Sequence, residues 1–410
     1  MNILKHANVT VAAVLLVAVI LVSLFLTVNP ATKPVTARQF YVGVEFAYGN
    51  QFSQVKTLVD RVKDFTNLFV LGVPDLTFNR TALDQSCDYL YSVNLSFIVQ
   101  FTSVLKYNSS NGYPANNNLF DWIGNATQKY GKLFLGIYRF DEPGGNQLDD
   151  GDSQLIDQSN AIGGYSGVAD NYVGNLSTIV KYYQQHGNVK VFTADYGLYW
   201  FDYASSYDAI FAELTGNQSR FSNSQVIGNE SKQEIIALDR GAAQSFHKNW
   251  GIIITWQYNQ TPWLESGNDL YSDLAQTYCA GSTYDIVFSY PNLTINGVVD
   301  PYGTLTNDHF GNMSKFWSDI HNNTSIFIPS PAEVAYVLPN DYGFGFRLPN
   351  DNIWGLFPPD NLTSKIWSDT QFLAARYSYN FNIIFDDHAV TGPSILNTYK
   401  KLYYYNQTIT

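Results

Sequence analysis

Phe134-Leu-Gly-Ile-Tyr-Arg-Phe-Asp-Glu-Pro-Gly-Gly145 is an apolar run of strand length that stops at two carboxylates. Pro143, Gly144 and Gly145 then break the strand. Asp141 and Glu142 are thereby expected at the carboxyl end of a buried strand, and in a parallel α/β barrel that end carries the catalytic groups. An isolated Asp-Glu-Pro is more often a loop acid that caps the next element, so its meaning depends on the chain around it.

Working outward, short apolar runs alternate with longer helical patterns, the signature of a parallel sheet with crossover helices. The runs cover 41–46, 68–73, 95–101, the opening stretch, 189–195, 207–213, 250–256 and 284–289. Helical patterns cover 52–65, 81–93, 119–130, 169–186, 232–248, 270–279 and 309–321, and a short connection with Tyr199, Trp200 and Phe201 follows the fifth run. Residues 209–214 have helical propensity as well, and the register of the repeat makes them a strand. Eight strands so connected predict a right-handed (β/α)8 TIM barrel over 40–325.

Ser330 and Pro331 mark a break, and 332–410 reads as a small α/β domain. Strands at 333–338, 381–385 and 402–405 with a helix over 364–377 suggest a truncated doubly wound sheet, thin enough to need docking on the barrel. It lacks the Gly-x-Gly-x-x-Gly turn of a nucleotide site. The segment 144–167 is Gly- and Asp-rich without periodicity and reads as a functional or mobile loop. Asp149, Asp150, Asp152 and Asp157 in it lack calcium-loop spacing and read as solvated acids.

Residues 9–28 form an uncharged apolar run, close to the ~20 residues of a membrane-spanning helix and longer than the ~7–15 of a signal-peptide core. No good small-x-small cleavage site follows. The expectation is a short cytoplasmic tail over 1–8, a transmembrane signal-anchor helix over 9–28, a linker over 29–39 and the bulk of the chain outside the cell membrane. A secreted form would require cleavage. Asn-x-Ser/Thr sites recur from Asn79 to Asn406, as in an extracellular glycoprotein. Cys87 and Cys279 fall on the second and seventh barrel helices, too far apart to bridge, and are expected as two buried, separate thiols. A net charge of -12 with 16% aromatic residues disfavours both nucleic acid and disorder.

The strand tips collect Glu45, Asp141, Glu142, Asp195 and Glu213, and Glu265 lies on the loop after strand seven. Tyr138, Tyr199, Trp200, Trp256, Gln257, Tyr258 and Trp263 surround them as candidate substrate-binding groups. Hydrolysis of a glycosidic bond needs one carboxyl that stays protonated and one that is ionised. Burial against rings separates their pKa values, and aromatic faces stack on sugars. Asp195 can instead cap the turn before Tyr199, and Glu265 the following helix. Glu142 and Glu213 stand out because both follow strands and those strands are two apart. The six histidines have no metal-ligand spacing, and neither a nucleophile elbow nor a phosphate loop is present, so no metal or cofactor is predicted.

The span 41 to 323 resembles the β/α-barrel glycoside hydrolases. Asp141-Glu142-Pro143 is similar to the Asn-Glu-Pro that ends strand four in the largest clan of retaining glycosidases, where the Glu is the acid/base. Here Asp141 replaces the Asn, and strand seven ends in Trp256-Gln257 where that clan has its nucleophile Glu. Barrel glycosidases similar to α-galactosidases place their carboxylates after strands four and six, which matches Glu142 and Glu213. A barrel followed by a small α/β domain also resembles some β-galactosidases. The resemblance implies a carbohydrate substrate, Glu142 as general acid/base and Glu213 as nucleophile or water-activating base. Asp141, Asp195 and Glu265 are the second choices, and Glu45 is expected to orient substrate or tune a pKa. The alternative is a non-catalytic glycan-binding or cell-envelope surface protein on the same scaffold.

Overall fold

The computed structural model of the chain describes residues 39–102, 117–149, 154–214, 229–255, 263–290, 294–295 and 298–409. The candidate anchor at 9–28, Asp150, Asp152, Trp256, Gln257 and Tyr258 lie outside them. Among the described residues no helix is long and apolar enough to cross a membrane.

Eight parallel strands close into a barrel in sequence order. They are β1 (Tyr41–Phe46), β2 (Leu68–Leu71), β3 (Ser96–Thr102), β4 (Phe134–Arg139), β5 (Lys190–Asp195), β6 (Ala209–Leu214), β7 (Gly251–Ile254) and β8 (Tyr284–Ser289). Closure is made by β1 against β8, from Tyr41 opposite Tyr284 to Phe46 opposite Ser289. Residues 209–214 are therefore strand, because pairing on both edges overrides their helical propensity.

The helices are α1 (Phe52–Val62), α2 (Pro74–Thr77), α3 (Arg80–Ser92), α4 (Asn117–Tyr130), α5 (Pro143–Asp149), α6 (Gly164–Gly187), α7 (Tyr199–Ala204), α8 (Asn229–Ser245), α9 (Gly267–Ala280) and α10 (Asn307–Asn322). In α1 the apolar spacing works as read: Val55, Leu58, Val59 and Val62 face the barrel and are buried. A two-strand hairpin, β9 (Thr294–Ile295) with β10 (Val298–Val299), follows β8 without a sequence signal. No disulfide joins buried Cys87 on α3 to Cys279 on α9, and Cys279 is half-buried rather than buried.

Strand alternation decides what enters the barrel. Leu68, Val70, Ile98, Tyr138, Phe192, Ala194, Phe211, Ile253, Tyr284 and Ile286 form its interior cluster. The interior is aromatic at its amino-terminal end, where Tyr41 stacks on Tyr284 with ring centroids 5.3 Å apart and Phe192 on Phe211 at 5.6 Å. Beyond this plug, open space lies towards the strand tips.

The last three strands form a second parallel sheet in the order β12 (Phe381–Phe385), β11 (Val334–Leu338), β13 (Lys401–Tyr404). Helix α11 (Thr363–Tyr377) joins β11 to β12, and α12 (Pro393–Leu396) joins β12 to β13. The sheet lies on α8. Buried Arg240 donates to Asn382 Oδ1 at 2.8 Å and to the carbonyls of Tyr379 and Phe381 at 2.6 and 2.8 Å. Beside it a Cβ on Gly241 would stand 2.2 Å from the Ile383 carbonyl oxygen, so helix and strand touch backbone to backbone. Gly241→Ala is expected to lower stability by about 1–3 kcal/mol, read as a shifted denaturation midpoint, because the contact is with backbone that cannot turn aside. An unchanged midpoint would show that the sheet is free to lift off α8.

The described parts of the segment 144–167, residues 144–149 and 154–167, prove better held than its composition implies. It opens with α5, and fully buried Gln147 bonds the Ile156 carbonyl and amide at 2.8 and 2.9 Å and the Trp354 carbonyl at 3.1 Å. Asp149 accepts from the Tyr196 hydroxyl at 2.7 Å and pairs with Arg347, and Asp157 closes a turn on the Ser159 amide at 2.8 Å. Side-chain to backbone bonds have no periodicity, so a pattern search passes over them.

Candidate active site

At the strand tips lies a cavity of about 410 Å³. Glu45, Tyr138, Asp141, Glu142 and Glu213 all line it, with Gln100, Ile253, Thr255, Phe288 and Tyr290. The pleat explains the selection. Counting by twos from the plug, Tyr41 leads to Glu45, Phe211 to Glu213 and Ile286 to Phe288. Asp195 follows inward-facing Ala194 and so turns outward. The residues sequence reading missed, Gln100 and the ring pair Phe288 and Tyr290 with centroids 5.9 Å apart, are found by the same count.

The turn that presents Asp141 and Glu142 is unusual backbone. Phe140 and Glu142 have φ of 60° and 51°, a region that side chains other than glycine occupy at a cost of order 1–3 kcal/mol each. The surroundings hold it in place. The Glu142 amide donates to the Ala194 carbonyl at 3.0 Å, and the Thr193 hydroxyl donates to the Phe140 carbonyl at 2.5 Å. The amides of Gly144 and Gly145 donate to the Asp195 carboxylate at 2.6 and 2.8 Å, as do those of Tyr196 and Gly197 at 2.7 and 3.1 Å. Asp195 is thus fully buried outside the cavity and clamps the turn behind Glu142.

Three further candidates sit away from the cavity. Glu265 is buried in an ion pair, 2.6 Å from Lys232 Nζ, which also reaches Asp273 at 2.5 Å. It does not cap α9, whose first turn is capped by Ser266 instead. Tyr199 donates its hydroxyl to the Asp195 carbonyl at 2.9 Å. Trp200 packs between Phe246 and Phe385 at 4.9 and 5.1 Å, in the core under the second sheet. In each case the drive to bury a ring or to pair a buried charge overrides proximity to the strand tip. Trp263, half-buried before α9, is not among the residues that line the cavity.

Within the cavity the Tyr138 hydroxyl donates to Asp141. Burial, and then the neighbouring Glu142 charge, push the Asp141 carboxyl up to about 7 against the opposing pull of that hydrogen bond. Glu45 is raised well above the carboxylate range, by burial first and by Asp141 second. Glu45 needs the glycine opposite: a Cβ on Gly72 would stand 1.9 Å from its Oε1.

These raised values set a pH dependence of stability. An acid held high in the folded state keeps a proton that the unfolded chain has already released, so stability falls as pH rises from the ordinary carboxylate range through the folded value. Asp141 spans the window to about 7, and Glu234, buried on α8, to about 8. The melting temperature is therefore expected to decline between pH ~4.5 and ~8, with Asp141→Asn and Glu234→Gln each flattening the slope. A melting temperature that climbs across this interval would contradict the assignment.

A closed eight-stranded parallel barrel with acids at the tips has the fold of the TIM-barrel glycoside hydrolases. Among solved structures, Gan42B, a GH42 beta-galactosidase, superposes with a TM-score of 0.56 over 90% of this chain and 69% of its own, at 14% identity. The exo-beta-1,4-mannosidase Op5Man5 from Opitutaceae bacterium strain TAV5 superposes with a TM-score of 0.50 over 89% of this chain and 72% of its own, at 12% identity. Coverage of 90% takes the first match past the barrel into the second sheet. No family model matches the chain, and no curated protein matches its sequence.

Proposed function

We propose that this chain is a glycoside hydrolase that cleaves an O-glycosidic bond with Glu142 as general acid/base and Glu213 as the opposing carboxylate. The observation that carries the reading is that both line one cavity, on strands two apart in the barrel. Glu142 donates its proton to the glycosidic oxygen as the bond to the anomeric carbon breaks. Glu213, ionised, attacks that carbon directly or takes a proton from the water that does. Asp141 beside Glu142 keeps a proton at this tip near neutral pH, because desolvation and the adjacent Glu142 charge both oppose its ionisation. Phe288 and Tyr290 offer ring faces for the sugar. The test is turnover of an oligosaccharide panel by the wild type, Glu142→Gln and Glu213→Gln. Undiminished turnover in both variants would refute the assignment, and binding without turnover in the wild type would leave a glycan-binding protein.

The reading extends to location: a signal anchor over 9–28 with the bulk of the chain outside the cell. Asn79, Asn94, Asn125, Asn175, Asn322, Asn361 and Asn406 are exposed, as glycan attachment requires. Expression of the full chain in a glycosylating host is expected to give a membrane-bound product that an N-glycanase shortens. A soluble product of unchanged mobility would count against it.

A further inference from the structure

Catalysis as proposed uses two carboxyls, and the cavity holds four. Glu45 and Asp141 form the surplus pair; both line the cavity, and a charge on Asp141 opposes ionisation of Glu45. Glu45 is 3% exposed. It has no hydrogen-bond partner among the described residues, although it faces the cavity. A carboxyl so buried is costly unless something pairs with it. Among the described residues that line the cavity there is no lysine, arginine or histidine. These residues offer no counter-charge to an ionised Glu45, so in the free site burial favours its protonated form, and a bound cation can bring the charge that lets it ionise.

The geometry points to an ammonium subsite: Glu45 and Asp141 receive the protonated amine of an amino sugar, which makes a glycoside with a free amino group the preferred substrate. A neutral hydroxyl would donate one hydrogen bond and bring no charge to stabilise the ionised form of Glu45 and Asp141. An ammonium carries three donors and a charge, and its bonds to carboxylates are about twice as strong as neutral ones. The absence of a cation from the described lining also disfavours uronic and sialic acids, whose carboxylates would face four acids. This assignment rests on the glycosidase reading for the substrate's place, while the subsite itself is testable by binding.

The experiment is titration calorimetry on Glu213→Gln protein with glucosamine and galactosamine oligosaccharides, their N-acetylated forms and the neutral glucose and galactose counterparts, beside turnover of the same set by the wild type. The amine forms are expected to bind about tenfold or more tighter than the neutral ones, a difference of about 1.4 kcal/mol. Adding Glu45→Gln is expected to shrink that ratio about tenfold, and Asp141→Asn to move it in the same direction, with thermal unfolding confirming that each variant is folded. A ratio near one, a ratio that survives both substitutions, or no binding of any sugar overturns the subsite. Turnover of neutral sugars with no amine preference would sink the subsite and leave the glycosidase reading standing. Amine binding that depends on Glu45, with no turnover of any sugar, would do the reverse.

Discussion

Glu213→Gln is expected to lower kcat by about 10²–10⁴-fold on any oligosaccharide the wild type cleaves. The substitution is close to isosteric, and Glu213 lies on a strand paired along both edges, so the barrel and the cavity keep their shape. What would be lost, on the proposed mechanism, is the negative charge that meets the anomeric carbon. Glu142→Gln should cost a similar factor on the same substrates, by removing the proton for the leaving oxygen. The two roles separate on an aryl glycoside with an acidic phenol. That leaving group departs with little protonation, so Glu142→Gln should retain much of its activity there while Glu213→Gln should not. Equal losses on both substrate types would mean that the roles are misassigned, even if both residues are essential.

Asp195→Ala is expected to destabilise the fold by roughly 3–5 kcal/mol, since several buried backbone amides lose their acceptor at about 1–3 kcal/mol each. The clamp holds the strained turn at Phe140 and Glu142, so catalysis should suffer with it. Asp195→Asn keeps one acceptor oxygen and should fall between Ala and wild type in stability. In the folded fraction of Asp195→Asn, kcat is expected to drop while the pH profile keeps the wild-type limbs, because Asp195 touches no reacting atom. A displaced limb would make Asp195 a proton-transfer group and overturn the positioning role. The same denaturation series measures the buried ion pair at Lys232 as a comparison. Removing one partner of such a pair typically costs about 3–5 kcal/mol.

The apolar runs located all eight barrel strands, and the register of the repeat decided residues 209–214 against their own helical propensity. Ends were less legible. The strand expected over 250–256 is Gly251–Ile254, and α5 and α7 emerged from stretches with no helical periodicity. Both are short helices held by tertiary bonds, Gly144 and Gly145 to Asp195 in one case and packing of Trp200 and Phe201 beneath the second sheet in the other. Short helices of this kind have too few turns for a periodic face to show.

By itself the sequence determined the barrel and the short list of acids at its tips, because apolar periodicity and strand-breaking residues act locally. Only the tertiary structure decided which acids share the cavity. Glu45, Asp141, Glu142 and Glu213 do so, whereas Asp195 and Glu265 serve the frame. The physical reason is that a carboxyl's role depends on strand parity and on its partner. Parity needs one residue, such as Phe192, known to face inward, and the partners that set the roles of Asp195 and Glu265, Gly144 and Gly145 for the first and Lys232 for the second, lie tens of residues away along the chain.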